Sequence, residues 1–448
     1  MTRLTQVVKR TGAIVPFTPE RITNAIYRAA VEVGGHDRAT AEKLTEQVIG
    51  YMEQHMPPDH IPAVEEIQDI VEKILIENRH AKVAKAYILY RDERARARQA
   101  KAALAARPSG NIPWRKIWYV LDWAVAHGLH TVGALNERLA RGEFADIVHE
   151  SDAAYEQDLE NAVELVQARR DQVKIVIIAG PSSSGKTTTT IKLGMRLEHI
   201  GLKLVALNVD NYFFDLALHP KDEYGDYDFE TPQALDLELI NEHLAKLIAG
   251  EEVQMPQYDF KTGMRRPTTT PMSLAENEII LIDSLHGLFP NMMSAIPDER
   301  KFKLYIETLI QLKGSDGNYV RWTDLRLMRR MLRDAAHRSY DPQRTLEHWH
   351  YVRSSELRHI IPYVNTTDYI VNGALPYELP VFRPRLMNQF AKWSTQYDND
   401  PQREDAMIRA KRVYALLQTI TPVTEDAERA IPPTSHLREF IGGSTYKY

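Results

Sequence analysis

The run Lys174-Ile175-Val176-Ile177-Ile178-Ala179 leads directly into Gly180-Pro181-Ser182-Ser183-Ser184-Gly185-Lys186-Thr187-Thr188. An apolar, β-branched stretch, a loop of small residues and a segment of helical composition (Thr188 to Leu197) follow one another without interruption. This order of buried strand, tight loop and helix constrains the fold more than any other stretch. Small residues let successive backbone N–H groups curl around phosphate oxygens, and the helix N-terminus adds its positive dipole end. The Gly-x-x-x-x-Gly-Lys-Thr spacing makes Gly180, Ser182, Ser183, Ser184, Gly185, Lys186, Thr187 and Thr188 candidate nucleotide-binding residues. Lys186 is placed to reach the β- and γ-phosphates, and the Thr187 hydroxyl to ligate Mg²⁺.

Length and charge bound the rest. A chain of 448 residues is long enough for two or three domains. It has no cysteine, so disulfides, thiolate metal sites and a cysteine nucleophile are excluded. The net charge of -5 gives no reason to expect nucleic acid or an anionic membrane as a partner. No apolar run approaches a membrane span, and Met1 to Arg10 lacks the apolar core of a secretory signal. The cytoplasm is the expected compartment. No internal repeat is visible.

Near the N-terminus, two short apolar runs flank Thr11-Gly12, which predicts a hairpin. Thr18 and Pro19 then predict a helix start, and Gly34-Gly35 its end. Three further helices follow, through Leu44 to Met52, Val64 to Leu75 and Val83 to Arg91. Val8-Lys9-Arg10-x-Gly12, Phe17, Arg21-Ile22, Ala25-Ile26 and the ending Val83-Ala84-Lys85-Ala86-Tyr87-Ile88-Leu89-Tyr90-Arg91 resemble the ATP-cone family. The resemblance covers about the first hundred residues and implies a regulatory module, spanning 1–98, that binds ATP or dATP. It assigns the nucleotide contact to Lys9 and Arg10. Thr11 stands where the family often has Asp.

Residues 99–170 are expected to form a helical connector. Arg91 to Arg107 is interrupted by Asp92 and Glu93 and has no interleaved aromatics, so it predicts a solvated polar helix rather than a nucleic-acid surface. Pro108 to Pro113 breaks it. Trp114, Ile117, Trp118, Leu121 and Ala124 share a helical face, Val132 to Leu139 forms a short helix after Thr131, and Ser151 is expected to cap a long helix. This region carries no visible chemistry. It is expected to pack on the catalytic domain or to set the position of the cone.

Four more strands are predicted after the phosphate loop: Lys203–Val209, Glu278–Asp283, Phe302–Ile306 and Thr367–Asn372. The first two end in Asp210 and Asp283, and a carboxylate at the end of a parallel strand points into the ligand crevice of an open α/β sheet. Asp210-Asn211-Tyr212-Phe213 and the helix Arg326-Leu327-Met328-Arg329-Arg330-Met331-Leu332-Arg333-Asp334 resemble the uridine kinase and phosphoribulokinase family. The match runs from about Asp171 to the C-terminus. It implies a P-loop kinase fold: a mainly parallel sheet flanked by helices, over 171–448.

That resemblance also assigns roles. Asp210 orients the acceptor hydroxyl or takes its proton near Mg²⁺, and Asp283 joins Thr187 on the metal side. Arg329, Arg330, Arg333 and Arg338 are candidates for charge stabilisation from a lid helix. Glu230 stands where the family places an Asp that binds ribose hydroxyls. Tyr212, Tyr258, Phe260 and Arg265 complete the expected acceptor site. Gly263 occupies the place of a pyrimidine-recognising His, and Asp283-Ser284-Leu285 replaces the usual Glu-Gly-Ile/Leu. The end, Ile431-Pro432-Pro433-Thr434-Ser435-His436-Leu437-Arg438-Glu439-Phe440-Ile441-Gly442-Gly443-Ser444, resembles that of a bacterial uridine-kinase-like subgroup.

The resemblances imply an ATP- and Mg²⁺-dependent kinase that phosphorylates a hydroxyl of a nucleoside-like acceptor and is regulated through the cone. A sugar or sugar phosphate as acceptor, and a nucleotide-sensing ATPase with little kinase activity, are the alternatives. A small-molecule acceptor and nucleotide are the expected partners, without nucleic acid or membrane, and a homo-oligomer is compatible with the sequence.

Overall fold

The computed structural model describes residues 4–8, 14–35, 37–57, 60–91, 110–220, 230–337, 341–397 and 403–447. Lys9, Arg10, the polar stretch beyond Arg91, most of the loop before Glu230, and Arg338 lie outside the described residues. The chain divides into two compact units, Met1–Ser109 and Gly110–Tyr448.

In the first unit, strands β1 (Gln6–Val8) and β2 (Ile14–Pro16) pair antiparallel. Helices α1 (Pro19–Glu32), α2 (Arg38–His55), α3 (Val64–Glu77) and α4 (residues 81–91) follow. Ile22, Ile26, Leu44, Val48, Met52, Val71, Leu75 and Tyr87 form one buried cluster, as the helical spacing of apolar residues requires. Thr18 occupies the N-cap position of α1 without a side-chain cap bond, Pro19 starts the helix, and Gly34 follows its end at φ 85°.

The second unit opens with α5 (Trp114–Ala126), α6 (Val132–Ala140) and α7 (Phe144–Ala168). Leu135, Ile147, Leu159 and Val166 share a core with β-strand residues Val176, Ile178 and Leu304. Residues 110–170 are thus part of the same packed body as the sheet. Helix α7 starts two turns earlier than expected, because Phe144, Ile147 and Val148 all bury in that core. Ser151 is therefore not a cap: it lies inside the helix and its hydroxyl donates to the Ile147 carbonyl at 2.6 Å.

The central sheet contains β3 (Ile175–Ala179), β4 (Lys203–Ala206), β9 (Glu278–Ser284), β10 (Lys301–Glu307) and β11 (Tyr369–Asn372). The order is β11-β10-β3-β9-β4, and every pairing is parallel. Two small antiparallel pairs lie between β4 and β9: β5 (Val253–Met255) with β8 (Thr270–Met272), and β6 (Tyr258–Asp259) with β7 (Met264–Arg265). β3 is wholly buried at the centre, which accounts for its unbroken Ile/Val run. The chain leaves β3 for β4 on one side and later returns to β10 and β11 on the other. That reversal opens a crevice beyond the C-terminal end of β3.

Around the sheet stand α8 (Lys186–His199), α9 (Leu237–Ile248), α10 (Trp322–His337), α11 (Pro342–His359), α12 (Glu378–Gln396) and α13 (Glu404–Thr419). Two one-turn helices close the chain, α14 (Glu425–Glu428) and α15 (Arg438–Ile441). The architecture is an α/β fold with a five-stranded parallel sheet. Among the described residues no helix is long and apolar enough to cross a membrane.

Candidate active site

The crevice at the end of β3 is floored by the glycine loop. A Cβ on Gly180 would meet the Ile306 carbonyl oxygen at 2.4 Å, so the loop sits this close to β10 only because residue 180 has no side chain. Gly185, at φ 98°, turns the chain into α8, and Ser183 also has positive φ at 59°. Ser183 and Ser184 are buried and their hydroxyls lack protein partners. Such a loop directs small polar groups and first-turn amides at whatever fills it.

Lys186 donates to the Pro181 carbonyl at 3.1 Å, folding back over the loop. Burial holds its pKa below the usual lysine value, opposed by the nearby Asp283 carboxylate. Thr187 Oγ1 lies 3.4 Å from Asp283 Oδ2. Burial pushes the Asp283 carboxyl up to about 6, with Lys186 pulling down and Glu439 and Asp210 pushing further up. A buried acid crowded by two other carboxylates is a place where a cation would be stabilised. Among the described residues no group of three or more His, Asp or Glu side chains could hold a metal unaided. Mg²⁺ is commonly bound by one or two carboxylates together with substrate phosphates, and Thr187 with Asp283 provides that kind of donor set. His286, close by, is held uncharged at neutral pH because burial lowers its pKa to about 3, which agrees with a packed role.

Asp210 lies on a short 3₁₀ turn (Val209–Tyr212) just past β4 and is exposed. Tyr212, on the same turn, corrects the expectation of an acceptor contact. It is fully buried, with its hydroxyl 2.9 Å from His243 Nδ1 and 2.9 Å from the Met255 sulfur. The turn rotates Asp210 outward and Tyr212 into the core. Arg265 is likewise committed to the protein. Its guanidinium donates to the carbonyls of Phe213 and Tyr212, both at 2.8 Å, and to Asp236 at 3.1 Å. It straps the segment after Asp210 to the β6–β7 hairpin instead of facing an acceptor.

Tyr258 and Phe260 do form an aromatic corner with Phe213. The ring centroids of Tyr258 and Phe260 are 5.0 Å apart, and Phe213 lies 5.6 Å from Tyr258 and 6.0 Å from Phe260. Tyr258 is 8% exposed and Phe260 65%, so Phe260 alone offers a broad open face. Gly263 turns this hairpin at φ +69°, and a Cβ there would meet Leu216 Cβ at 3.0 Å.

The arginine helix α10 splits into two kinds of residue. Arg326 and Arg329 are fully buried. Arg326 pairs with Glu356 at 2.6 Å and Glu307 at 2.9 Å, and donates to the Ser182 carbonyl at 3.0 Å. Arg329 pairs with Glu378 at 2.5 Å and donates to the carbonyls of Ser184 at 3.1 Å and Gly373 at 2.5 Å. Arg329 was expected to meet phosphate. It instead holds the loop from behind, because the Ser183 and Ser184 carbonyls face the helix.

Arg330 and Arg333 remain on the open side. Arg330 Nη1 lies 3.1 Å from Ser182 Oγ and 3.3 Å from Glu230 Oε1, joining the glycine loop to the segment that starts at Glu230. Glu230 is fixed from below, since Ser355 Oγ donates to its carbonyl. Arg333 pairs with Asp334 at 3.3 Å and its charge is felt at Lys186.

The structure also brings in residues that sequence reasoning missed. Glu307, Glu356 and Glu378 neutralise the buried arginines. Glu307 ends an apolar strand, the same signal that marked Asp283; Glu356 and Glu378 carry no local signal. Glu439 of α15 accepts from both the backbone N–H and the hydroxyl of Thr188, at 3.3 and 2.7 Å.

Comparison with known proteins finds two matching families. Residues 175–376 match the Phosphoribulokinase / Uridine kinase family, and residues 5–96 match the ATP cone domain. A uridine kinase of Chloroflexus aurantiacus is 29% identical over 201 residues, covering 44% of this chain and 86% of that protein. A vitamin B12-dependent ribonucleoside-diphosphate reductase of Thermoplasma acidophilum is 37% identical over 107 residues, covering 23% of this chain and 13% of that protein. The solved structure of a possible uridine kinase from Bacillus stearothermophilus aligns with a TM-score of 0.29 at 19% identity, over 34% of this chain and 79% of that one. These matches support a small-molecule kinase with a phosphate loop, strand-end carboxylates and an arginine helix around one crevice, preceded by a stretch similar to the ATP cone domain.

Proposed function

We propose that this chain transfers the γ-phosphate of ATP to a hydroxyl of a nucleoside-like acceptor, and that nucleotide binding in the N-terminal unit regulates the reaction. The observation that carries the reading is Arg330, which touches Ser182 of the phosphate loop and Glu230 of the acceptor loop at once. A guanidinium placed there faces both donor and acceptor.

In this reading the loop amides and Lys186 hold the phosphates, and Asp210 positions the attacking hydroxyl. Thr187 and Asp283 would hold Mg²⁺, which when bound neutralises charge on the transferring phosphoryl group. Arg330 and Arg333 supply donors toward charge that develops in the transition state. Glu230 accepts from a sugar diol, for which a carboxylate offers two acceptor oxygens. Catalysis is then positioning and electrostatics, with no covalent intermediate on the chain. In the N-terminal unit Lys9 and Arg10 are the proposed nucleotide contacts, and regulation requires that the nucleotide bind two states of the chain unequally.

One feature favours a second reading, a non-nucleoside sugar acceptor. Gly263 offers no side chain toward a base, and its turn conformation leaves little room for one. A single screen tests both: ADP release with a panel of nucleosides, sugars and sugar phosphates. Acceptor-dependent turnover that is lost in Asp210→Asn supports the kinase, and the responding acceptor chooses between the readings. ATP hydrolysis that no acceptor accelerates and that survives Asp210→Asn overturns them in favour of an ATPase switch.

A further inference from the structure

The C-terminal turn places a carboxylate where the phosphate loop offers its last donors. Thr188 is the third residue of α8, so its backbone N–H belongs to the first turn of that helix. In a Gly-x-x-x-x-Gly-Lys-Thr loop the amides of that turn close the phosphate cradle. Here the amide and the Thr188 hydroxyl both point at Glu439 Oε2, at 3.3 and 2.7 Å. Glu439 is 4% exposed, and its charge is felt at Lys186 and Asp283. The contact joins residues 251 positions apart and does not arise from local chain geometry.

We propose that Glu439 is a built-in competitor for the nucleotide's phosphate chain, and that its side chain must turn away from Thr188 before the cradle can fill. The inference rests on reading the glycine loop as the donor site. Two anions drawn to one N–H repel each other, and that repulsion in a buried site is a cost to nucleotide binding. The backbone of α15 does not have to move. Leu437 and Phe440 on either side are fully buried in the main core, and the Arg329 guanidinium stacks 4.9 Å from the Phe440 ring. His436 is anchored too, 2.8 Å from the Gly373 carbonyl oxygen and with its ring centroid 4.3 Å from that of Tyr155. The rearrangement is thus confined to the Glu439 side chain on a fixed base, and the tail sets how tightly the kinase site holds its nucleotide.

The test uses the full chain and must ignore any nucleotide bound in the N-terminal unit. Hydrogen exchange of the peptide covering Gly180 to Thr190, followed as Mg·ATP is added, reports the phosphate loop alone. Glu439→Gln keeps the size and the acceptor oxygen but removes the charge. It is expected to lower the ATP midpoint about tenfold, the order expected for removing one like charge at this range. Glu439→Asp keeps the charge but shortens the reach by one methylene, and is expected to tighten binding by a smaller factor. It serves as the informative variant if Glu439→Gln does not fold. An unchanged or raised midpoint in the folded variants overturns the proposal while leaving the donor site intact, because a cap that merely supports the loop would weaken binding when removed. A wild-type loop that does not respond to Mg·ATP overturns the donor-site reading itself, and this inference with it.

Discussion

The two ends of the crevice are built differently. The phosphate end rests on the sheet: a buried strand, a loop pressed against Ile306, and two buried arginines tied to Glu307, Glu356 and Glu378. The end proposed for the acceptor is made of loops: a 3₁₀ turn, a hairpin of two-residue strands and Glu230, with an exposed Phe260 as its broadest surface. Buried charges with good partners cannot be altered one at a time without leaving a partner stranded, whereas loop side chains can change with little structural cost. A kinase family can thus keep one donor site while its acceptors vary.

The sharpest way to break this contrast is at Lys186. Lys186→Met is expected to lower acceptor-dependent turnover by roughly a thousandfold, from lost phosphate positioning and charge. Because burial disfavours its charge in the nucleotide-free chain, thermal unfolding without ATP should occur at the same temperature or higher. A clear drop in melting temperature would show that Lys186 supports the fold. Next comes the pair on α10. Arg329→Met strands Glu378 and should destabilise the second unit by about 3 kcal/mol or more. Arg330→Met, which leaves Asp334 its second partner Arg333, should cost clearly less, about 1 kcal/mol, but lower kcat, which a chemical melt and a rate measurement on both variants separate. Equal destabilisation by the two would erase the distinction between a buried and an open arginine.

Support behind the phosphate end is also readable through pH. Asp152 accepts from Tyr377 at 2.7 Å and Ser435 at 3.2 Å, and burial pushes its carboxyl from 3.8 up to about 6. A raised acid pKa means that the folded chain binds the proton more tightly than the unfolded chain. Its contribution is therefore fully present below the unfolded value, declines as pH rises through about 4 to 6, and is lost above the folded value. Asp152→Asn should flatten that part of the stability profile by about 3 kcal/mol at most, measured by urea titration across pH. At the acceptor end, Phe260→Ala should raise the acceptor KM about fivefold while kcat and stability hold, the sign of a contact made equally in ground and transition states. A change confined to the ATP KM would place Phe260 at the donor end instead.

How far these features could be read in advance followed the range of the interactions behind them. The five strands, the glycine loop and Asp283 announce themselves through contiguous apolar runs and fixed spacing. Tyr212 and Arg265 turn to the protein instead because the 3₁₀ turn and the hairpin, not composition, decide which way each points. Helical periodicity puts the α10 arginines on neighbouring faces, but whether an arginine meets phosphate or a buried glutamate depends on Glu307, Glu356 and Glu378, which come from three distant segments. Ser151 was misread as a helix start for a related reason: Phe144 and Ile147 earn their place in the helix only by burial against the sheet.

Gly263 bears on how this chain's preference could change. A histidine there would need φ near +69°, costing an L residue on the order of 1 kcal/mol, and its Cβ would press on Leu216. At this one position of the hairpin a side chain therefore comes at the cost of two adjustments, a left-handed backbone and a displaced Leu216, so position 263 and Leu216 are coupled in a way that the exposed Phe260 is not.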